Sequence, residues 1–161
     1  MSLADRAHAL QSEAHELFDR LDLGTAFPWQ PTMIGSARSG LMVTRDLDVM
    51  FDAPDATTAT VLTGLTTLAN RVQIQSIDFQ DERGDRRPTP AITDERYYAV
   101  LHTTTWKIDL TFWLHVIDRP HADHAQRIAS ATAEQQRTIL RLKDALPGSD
   151  STAIYNAVLD L

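Results

Sequence analysis

The segment at residues 34–51 constrains the fold of this chain more than any other stretch. It begins Ile-Gly-Ser, continues through nine residues, and then reads Asp-Leu-Asp-Val-Met-Phe. In an extended strand, side chains alternate between faces, so Asp46 and Asp48 share one face while Leu47 and Val49 share the other. Two carboxylates on one face repel each other unless a cation lies between them. The segment therefore predicts a strand with a buried apolar face and an acidic face suited to Mg2+.

The Gly-Ser pair lies upstream of this strand, where a preceding strand would end. Gly35 allows the backbone to approach a ligand closely because it has no side chain. The hydroxyl of Ser36 and the free backbone N–H groups of such a turn can hold phosphate oxygens. A phosphate-binding turn ten residues ahead of a metal-binding carboxylate pair predicts a site for a metal–nucleotide complex.

This pattern resembles the signature of the polymerase-beta-type nucleotidyltransferase superfamily, which includes minimal and aminoglycoside nucleotidyltransferases. The resemblance implies a third carboxylate on a later strand, and Asp109 in Trp-Lys-Ile-Asp-Leu-Thr-Phe-Trp offers it. Asp78 is a rival that we rank lower, because the sequence after it soon becomes polar. Arg45 stands where the family often has Ser. The resemblance thus implies Asp46, Asp48 and Asp109 as the catalytic and metal-binding residues.

The implied reaction moves a nucleoside monophosphate, with AMP expected, from a nucleoside triphosphate to a hydroxyl of a small molecule or a protein. Mg2+ or Mn2+ is the implied cofactor, because two such ions would stabilise the entering and leaving oxygens. The expected nucleotide-binding residues are Gly35, Ser36, Arg38 and Lys107. Arg38 has an equally weighted structural interpretation as an ion-pair partner. The alternative function is a catalytically idle binding module, or an antitoxin that acts through a protein partner.

Composition sets further limits on this function. The chain has 161 residues, of which 43% are hydrophobic, a net charge of −7 and no cysteine. A single domain over residues 1–161 is expected, with an N-terminal helix in 1–24, a catalytic sheet in 31–116 and helices in 121–161. The negative charge argues against nucleic acid as a partner. The absence of cysteine, of a signal-like N-terminus and of a long apolar run favours a cytoplasmic protein without a membrane span. An oligomer is possible.

Hydrophobic periodicity predicts an α/β (α+β) fold, with a small mixed sheet and helices packed on one face. Helices are predicted at 2–23, 57–70, 121–146 and 151–161, and Gly24 is expected to end the first. Strands are predicted at 32–34, 46–51, 72–79, 97–104 and 106–116. The last two are separated by almost no residues and should form an antiparallel hairpin.

Two features of this region have alternative interpretations. Lys107 and Asp109 share the polar face of the last strand, either as site residues or as an ion pair on a solvated sheet. The segment 81–95 carries Arg83, Arg86 and Arg87 between the strands. It is either a solvated charged loop or a mobile cap whose arginines reach triphosphate oxygens.

Overall fold

The computed structural model describes residues 1–118 and 121–160. The helices are α1 (Leu3–Leu21), α2 (Leu23–Ala26), α3 (Gly35–Ser39), α4 (Thr58–Ala69), α5 (His121–Ala129), α6 (Ala133–Ala145) and α7 (Ser151–Leu159). The strands are β1 (Pro31–Ile34), β2 (Asp46–Asp52), β3 (Ser76–Glu82), β4 (Arg96–His102) and β5 (Lys107–Trp113), and a 3-10 turn spans Gly84–Arg86. This is the α/β fold that the sequence predicts.

The five strands form one mixed sheet in the order β1-β2-β5-β4-β3. The two central strands, β2 and β5, are parallel, and the other neighbouring strands are antiparallel. Strands β4 and β5 form the predicted hairpin, with Tyr98 paired to Thr111. The parallel pairing is the arrangement that brings distant parts of the chain to the centre of the sheet.

The main hydrophobic core lies on the apolar face of the sheet. Alternate side chains of the central strands, including Leu47, Val49, Ile108 and Leu110, are almost fully buried there. Helices α1 and α4 and the connection after α1 contribute the other half of this core, with Leu17, Leu21, Phe27, Val61, Leu65 and Leu68. Because strand side chains alternate, this burial turns the acidic side chains of β2 toward the opposite face.

A second, smaller core joins the C-terminal helices to the rest of the molecule. It contains Ala7 of α1 and Leu41 together with residues of α5, α6 and α7, namely Ile128, Ile139, Leu140, Ile154 and Tyr155. An ion pair between Arg6 and Asp144 also ties α1 to α6. These contacts fix the C-terminal helices beside the start of β2.

Helices differ from the sequence predictions in three places, the first of which is α3, a short helix where the sequence predicts a Gly-Ser turn. Helix α1 ends at Leu21 and is capped by Asp22, which has a left-handed backbone conformation. Gly24, the expected end, lies inside α2. The single predicted helix over 121–146 is two helices, because Thr132 caps α6 through a capping box with Gln135. A polar side chain that satisfies the first N–H groups starts a new helix here.

Strand β3 begins at Ser76, four residues later than predicted, and continues to Glu82. The apolar residues Val72 and Ile74 precede it and pack against the main core without joining the sheet. Within the described part of the chain, no helix is both long enough and apolar enough to cross a bilayer.

Candidate active site

The register between β2 and β5 brings the three predicted carboxylates to one face of the sheet. Asp48 is directly opposite Asp109, and Asp46 is opposite Lys107. Partners in such a ladder point to the same side, and the buried residues between them occupy the other side. Residues that are about 60 positions apart in sequence therefore form one polar cluster on adjacent parallel strands.

Asp48 lies at the centre of this cluster, and its surroundings disfavour the charged form of its carboxyl group. Burial raises the pKa of this carboxyl to about 6, and the charges of Asp109 and Asp46 add to the effect. Lys107 and Lys143 oppose it less strongly. The site thus has an excess of negative charge around Asp48, which a cation would relieve.

The other two carboxylates are held by neighbouring donors. The hydroxyl of Thr44 donates to Oδ2 of Asp46 at 2.7 Å. Oδ2 of Asp109 accepts one hydrogen bond from the Tyr98 hydroxyl at 2.7 Å and one from Nζ of Lys107 at 3.2 Å. Burial and this bond to Asp109 raise the pKa of the Tyr98 phenol, so the phenol stays a donor.

Gly35 packs directly against the carboxylate of Asp48. Its backbone has a φ of +65°, and a Cβ built there would lie 2.5 Å from Oδ2 of Asp48. Both the conformation and the limited space disfavour a side chain at this position. The glycine that the sequence singled out therefore lets the first turn of α3 lie next to the acidic strand β2.

A cavity of about 550 Å³ opens beside Asp46 and Asp48. Its polar lining includes Gly35, Ser36 and Lys107, three of the predicted nucleotide-binding residues. Its far wall consists of residues from α5, the end of α6 and the start of α7, among them Ala125, Ile128, Leu146, Pro147, Ser151 and Ile154. The volume and the mixed polar and apolar lining are typical of small-ligand sites.

Lys143 is a cavity residue that the sequence analysis missed. Its side chain extends from α6 toward the segment that precedes β2 and toward α7, where Nζ donates to the Leu41 carbonyl at 2.6 Å and to the Tyr155 hydroxyl at 3.2 Å. Burial lowers the pKa of this ammonium to about 8, although Asp46 and Asp48 favour its charged form. A buried cation thus faces two carboxylates across the cavity.

The residues present fit a divalent cation in their chemistry, but they do not form a preassembled centre. Asp46, Asp48 and Asp109 supply the oxygen ligands that Mg2+ prefers. Oδ1 of Asp109 is shielded from solvent and has no hydrogen-bond partner within residues 1–118 and 121–160. However, no group of three or more acidic, histidine or cysteine side chains among the described residues is arranged to hold a metal.

Several residues from the sequence analysis lie outside the cavity. Asp109 borders the site but is not among the residues that line the cavity, and the side chain of Arg38 is exposed and does not line it either. The nucleotide-binding role of Arg38 therefore gains no support from the geometry. Asp78 lies on β3 opposite Val100, which is opposite Asp109, so two strand spacings separate the rival from the third carboxylate.

The arginines of the segment 81–95 make local interactions. Arg83 and Arg86 both pair with the carboxylate of Asp81. Arg87 donates to the carbonyls of Gly84 and Thr93. These contacts support the interpretation of a charged loop over that of a triphosphate-binding cap.

Comparisons with known proteins agree with the fold. No family model matches the sequence, and no curated protein does so either. Among solved structures, the chain is similar to the Cid1 poly(U) polymerase, in a crystal structure with Mg and 3′-dATP bound, with a TM-score of 0.54 and 16% sequence identity. The match covers 87% of this chain but 45% of the polymerase.

The chain shares its fold with this polymerase, and the resemblance found in the sequence is confirmed at the level of the fold. It spans less than half of the polymerase that it matches. Because the neighbour is a poly(U) polymerase, the comparison does not support the expectation that nucleic acid is excluded as a partner.

Proposed function

We propose that this protein is a metal-dependent nucleotidyltransferase that moves a nucleoside monophosphate from a nucleoside triphosphate to an acceptor hydroxyl. One observation carries the proposal: Asp46, Asp48 and Asp109 share a face of two parallel strands, beside a cavity lined by Gly35 and other small or cationic residues. The fold supports this assignment because a nucleotidyltransferase structure matches most of the chain.

The cavity side of the cluster suits the triphosphate. Ser36 and the backbone at Gly35 offer donors to phosphate oxygens, and Lys107 and Lys143 offer positive charge. The apolar wall from α5 and α7 provides a surface for the sugar and base. Asp46, Asp48 and Asp109 would hold Mg2+ or Mn2+, which when bound supplies charge stabilisation for the entering and leaving oxygens.

Asp109 is the candidate proton acceptor. In the transfer, the acceptor oxygen forms a bond to the α-phosphorus, the bond from that phosphorus to the bridging oxygen breaks, and pyrophosphate leaves. The proton of the acceptor hydroxyl passes to a carboxylate oxygen of Asp109. Lys107 and Lys143 stabilise the negative charge that develops on the leaving pyrophosphate.

We further propose AMP as the transferred group and a small molecule or protein as the acceptor, in the cytoplasm. The net charge of −7 disfavours a polyanionic acceptor. The likeness to a poly(U) polymerase makes an RNA end a necessary arm of the acceptor screen. A cationic small molecule is expected to be the better acceptor, because it complements the acidic surface.

The test has a binding stage and a turnover stage. Thermal unfolding is first measured with each of the four ribonucleoside triphosphates and Mg2+ or Mn2+, because a ligand of the native state raises the Tm. Divalent-dependent pyrophosphate release is then measured with small hydroxyl compounds, protein and RNA. Asp48→Asn should lower turnover about 100-fold or more, whereas Asp78→Asn, on the same face two strands away, should keep it. Equal turnover in the wild type and Asp48→Asn would refute the mechanism.

One observation favours the second candidate, a catalytically idle binding module. Lys107 pairs with Asp109, so the proposed proton acceptor is partly neutralised by an ion pair. An idle module would bind a nucleotide or a protein partner without divalent-dependent release of pyrophosphate. Binding in the first stage with no turnover toward any acceptor would favour this candidate.

A further inference from the structure

The carboxylate of Asp109 is held asymmetrically. Oδ2 accepts both hydrogen bonds that reach this side chain, from Tyr98 and from Lys107. Oδ1 is shielded from solvent and has no partner within the described parts of the chain. Because buried carboxylate oxygens are normally paired, we expect Oδ1 to have a partner that the described residues do not supply.

A bound nucleotide would compete for only one of the two donors to Oδ2. Lys107 lines the cavity, and its side chain is 44% exposed, so a triphosphate can draw its ammonium away from Asp109. Tyr98 is not among the described residues that line the cavity, and it reaches Asp109 diagonally from β4, where it is paired with Thr111. Once Lys107 turns toward phosphate, Tyr98 is the donor that still fixes Oδ2.

Tyr98 is itself held in place by Arg96. The guanidinium of Arg96 lies 4.1 Å from the centroid of the Tyr98 ring, a cation–π contact. Nε of Arg96 pairs with the buried carboxylate of Glu82, and Nη1 donates to the Thr111 hydroxyl at 3.4 Å. A phenol with this support keeps its hydroxyl aimed at Asp109.

We propose that Tyr98 is a positioning residue for the transfer reaction: its hydroxyl holds Oδ2 of Asp109 so that Oδ1 faces the cation and the attacking hydroxyl. The inference rests on the proposed function. A neutral phenol orients the carboxylate without cancelling its charge, which an ammonium would do. Partners of this kind set the orientation and basicity of a ligating carboxylate.

The experiment compares Tyr98→Phe with Tyr97→Phe in the full chain. The second variant loses a phenol hydroxyl from the preceding residue of β4, whose side chain lies on the opposite, core-facing side of the sheet. In Tyr98→Phe, kcat should fall about 10- to 100-fold while KM for the nucleoside triphosphate stays within about twofold. Tyr97→Phe should keep both constants.

A second measurement is independent of turnover. Electron paramagnetic resonance titration with Mn2+ on the nucleotide-free protein should show an affinity about 10-fold weaker in Tyr98→Phe, and unchanged in Tyr97→Phe. Wild-type kcat and Mn2+ affinity in Tyr98→Phe would overturn the proposal. A raised KM with unchanged kcat would also overturn it, because that pattern indicates lost nucleotide binding.

Failure of the proposed function gives a different result. The wild-type protein would then release no pyrophosphate with any acceptor, and the Mn2+ titration alone would decide on Tyr98. A selective loss of Mn2+ affinity in Tyr98→Phe would support the positioning of Asp109. A wild-type protein that binds no Mn2+ would overturn the inference together with the metal site.

Discussion

The two sides of the carboxylate cluster have different surroundings. On the cavity side, Asp48 contacts the first turn of α3 at Gly35, and both Asp46 and Asp48 face Lys143 of α6 across the cavity. On the open side, Asp109 adjoins β4 and then β3, whose side chains on this face include the exposed residues Asp78, Gln80 and His102. The paired central strands thus separate an enclosed region from an accessible one.

Under the proposed function, this difference would divide two tasks between the two sides. The cavity side places crowded negative charge near apolar residues of α5 and α7, which suits a ligand that brings a cation and a flat nucleobase. The open side gives its carboxylate two donors, and the exposed residues of β3 and β4 beside it would leave room for a variable acceptor. The nucleotide and the acceptor would then meet at the boundary between Asp48 and Asp109, which the register places directly opposite each other.

The largest expected effect tests the charge crowding on the cavity side. A pKa raised from 3.8 to about 6 penalises the charged form of Asp48 by about 3 kcal/mol, since one pKa unit is worth about 1.4 kcal/mol. The folded state binds this proton more tightly than the unfolded state, so stability is lost as the pH rises from about 4 to about 6. The unfolding free energy of Asp48→Asn should therefore exceed that of the wild type by an amount that grows from about pH 4 to about pH 6, as measured by urea titration.

The control for this prediction is Asp52→Asn. Asp52 lies at the other end of β2 and is exposed, so its carboxylate stays solvated. Its substitution should leave the pH profile of the unfolding free energy parallel to that of the wild type. A constant difference between Asp48→Asn and the wild type from pH 4 to 7 would show that the cavity side is not crowded, and the contrast with the open side would disappear.

A smaller effect is expected at Lys143, which tests whether the cavity side binds the triphosphate. Losing a charged hydrogen bond to phosphate in Lys143→Met should weaken nucleotide binding about 10- to 100-fold. With a pKa of about 8 in the free protein, the wild-type ammonium loses its charge as the pH rises above that value. Wild-type Kd should therefore increase from pH 7.5 to 9 in calorimetric titrations, and the Kd of Lys143→Met should change less.

The groups that face Lys143 set the background of this pH dependence. Asp46 and Asp48 favour its charged form, and Tyr155 is hydrogen-bonded to its Nζ. Arg141→Met, which removes an exposed cation from the same helix, is the matched control and should retain wild-type affinity. If Lys143→Met binds the nucleotide as tightly as Arg141→Met does, Lys143 is a structural residue that anchors α6 to Leu41.

The cavity side and the open side differed in how much of them the sequence revealed. Alternation within a strand predicted that Asp46 and Asp48 share a face, whereas Asp109 was implied by the family resemblance. The parallel pairing aligns the three side chains. Lys143 was not predictable, since it lies four residues after the buried Ile139 and resembles any lysine that borders an apolar stripe. Its role depends on the packing of α6 against the segment at Leu41, which is about 100 residues away in the sequence.

Local signals account for the other differences from the sequence predictions. The Thr132 and Gln135 capping pair was present in the sequence and marks the start of α6, although the apolar periodicity continued through it. Tyr98 was visible as the neighbour of Tyr97 in a strand, but its contact with Asp109 required the register of the hairpin. Registers and helix packing are set by tertiary contacts, which a single sequence does not encode locally.

The smallest expected effect concerns the close approach between the Gly35 turn and Asp48. Gly35 and Gly84 both have positive φ values, +65° and +53°, so alanine is strained by a similar amount at either position, roughly 1–2 kcal/mol. They differ in space: a Cβ at Gly35 would lie 2.5 Å from Oδ2 of Asp48, whereas at Gly84 no heavy atom of the described residues lies within 4 Å. Gly35→Ala should therefore lower the unfolding free energy by about 1 kcal/mol more than Gly84→Ala does.

This excess should vanish in the Asp48→Ala background, because the clashing carboxylate is then absent. An equal cost at both glycines in the wild-type background would mean that Asp48 moves aside freely, and the enclosed character of the cavity side would not depend on this turn.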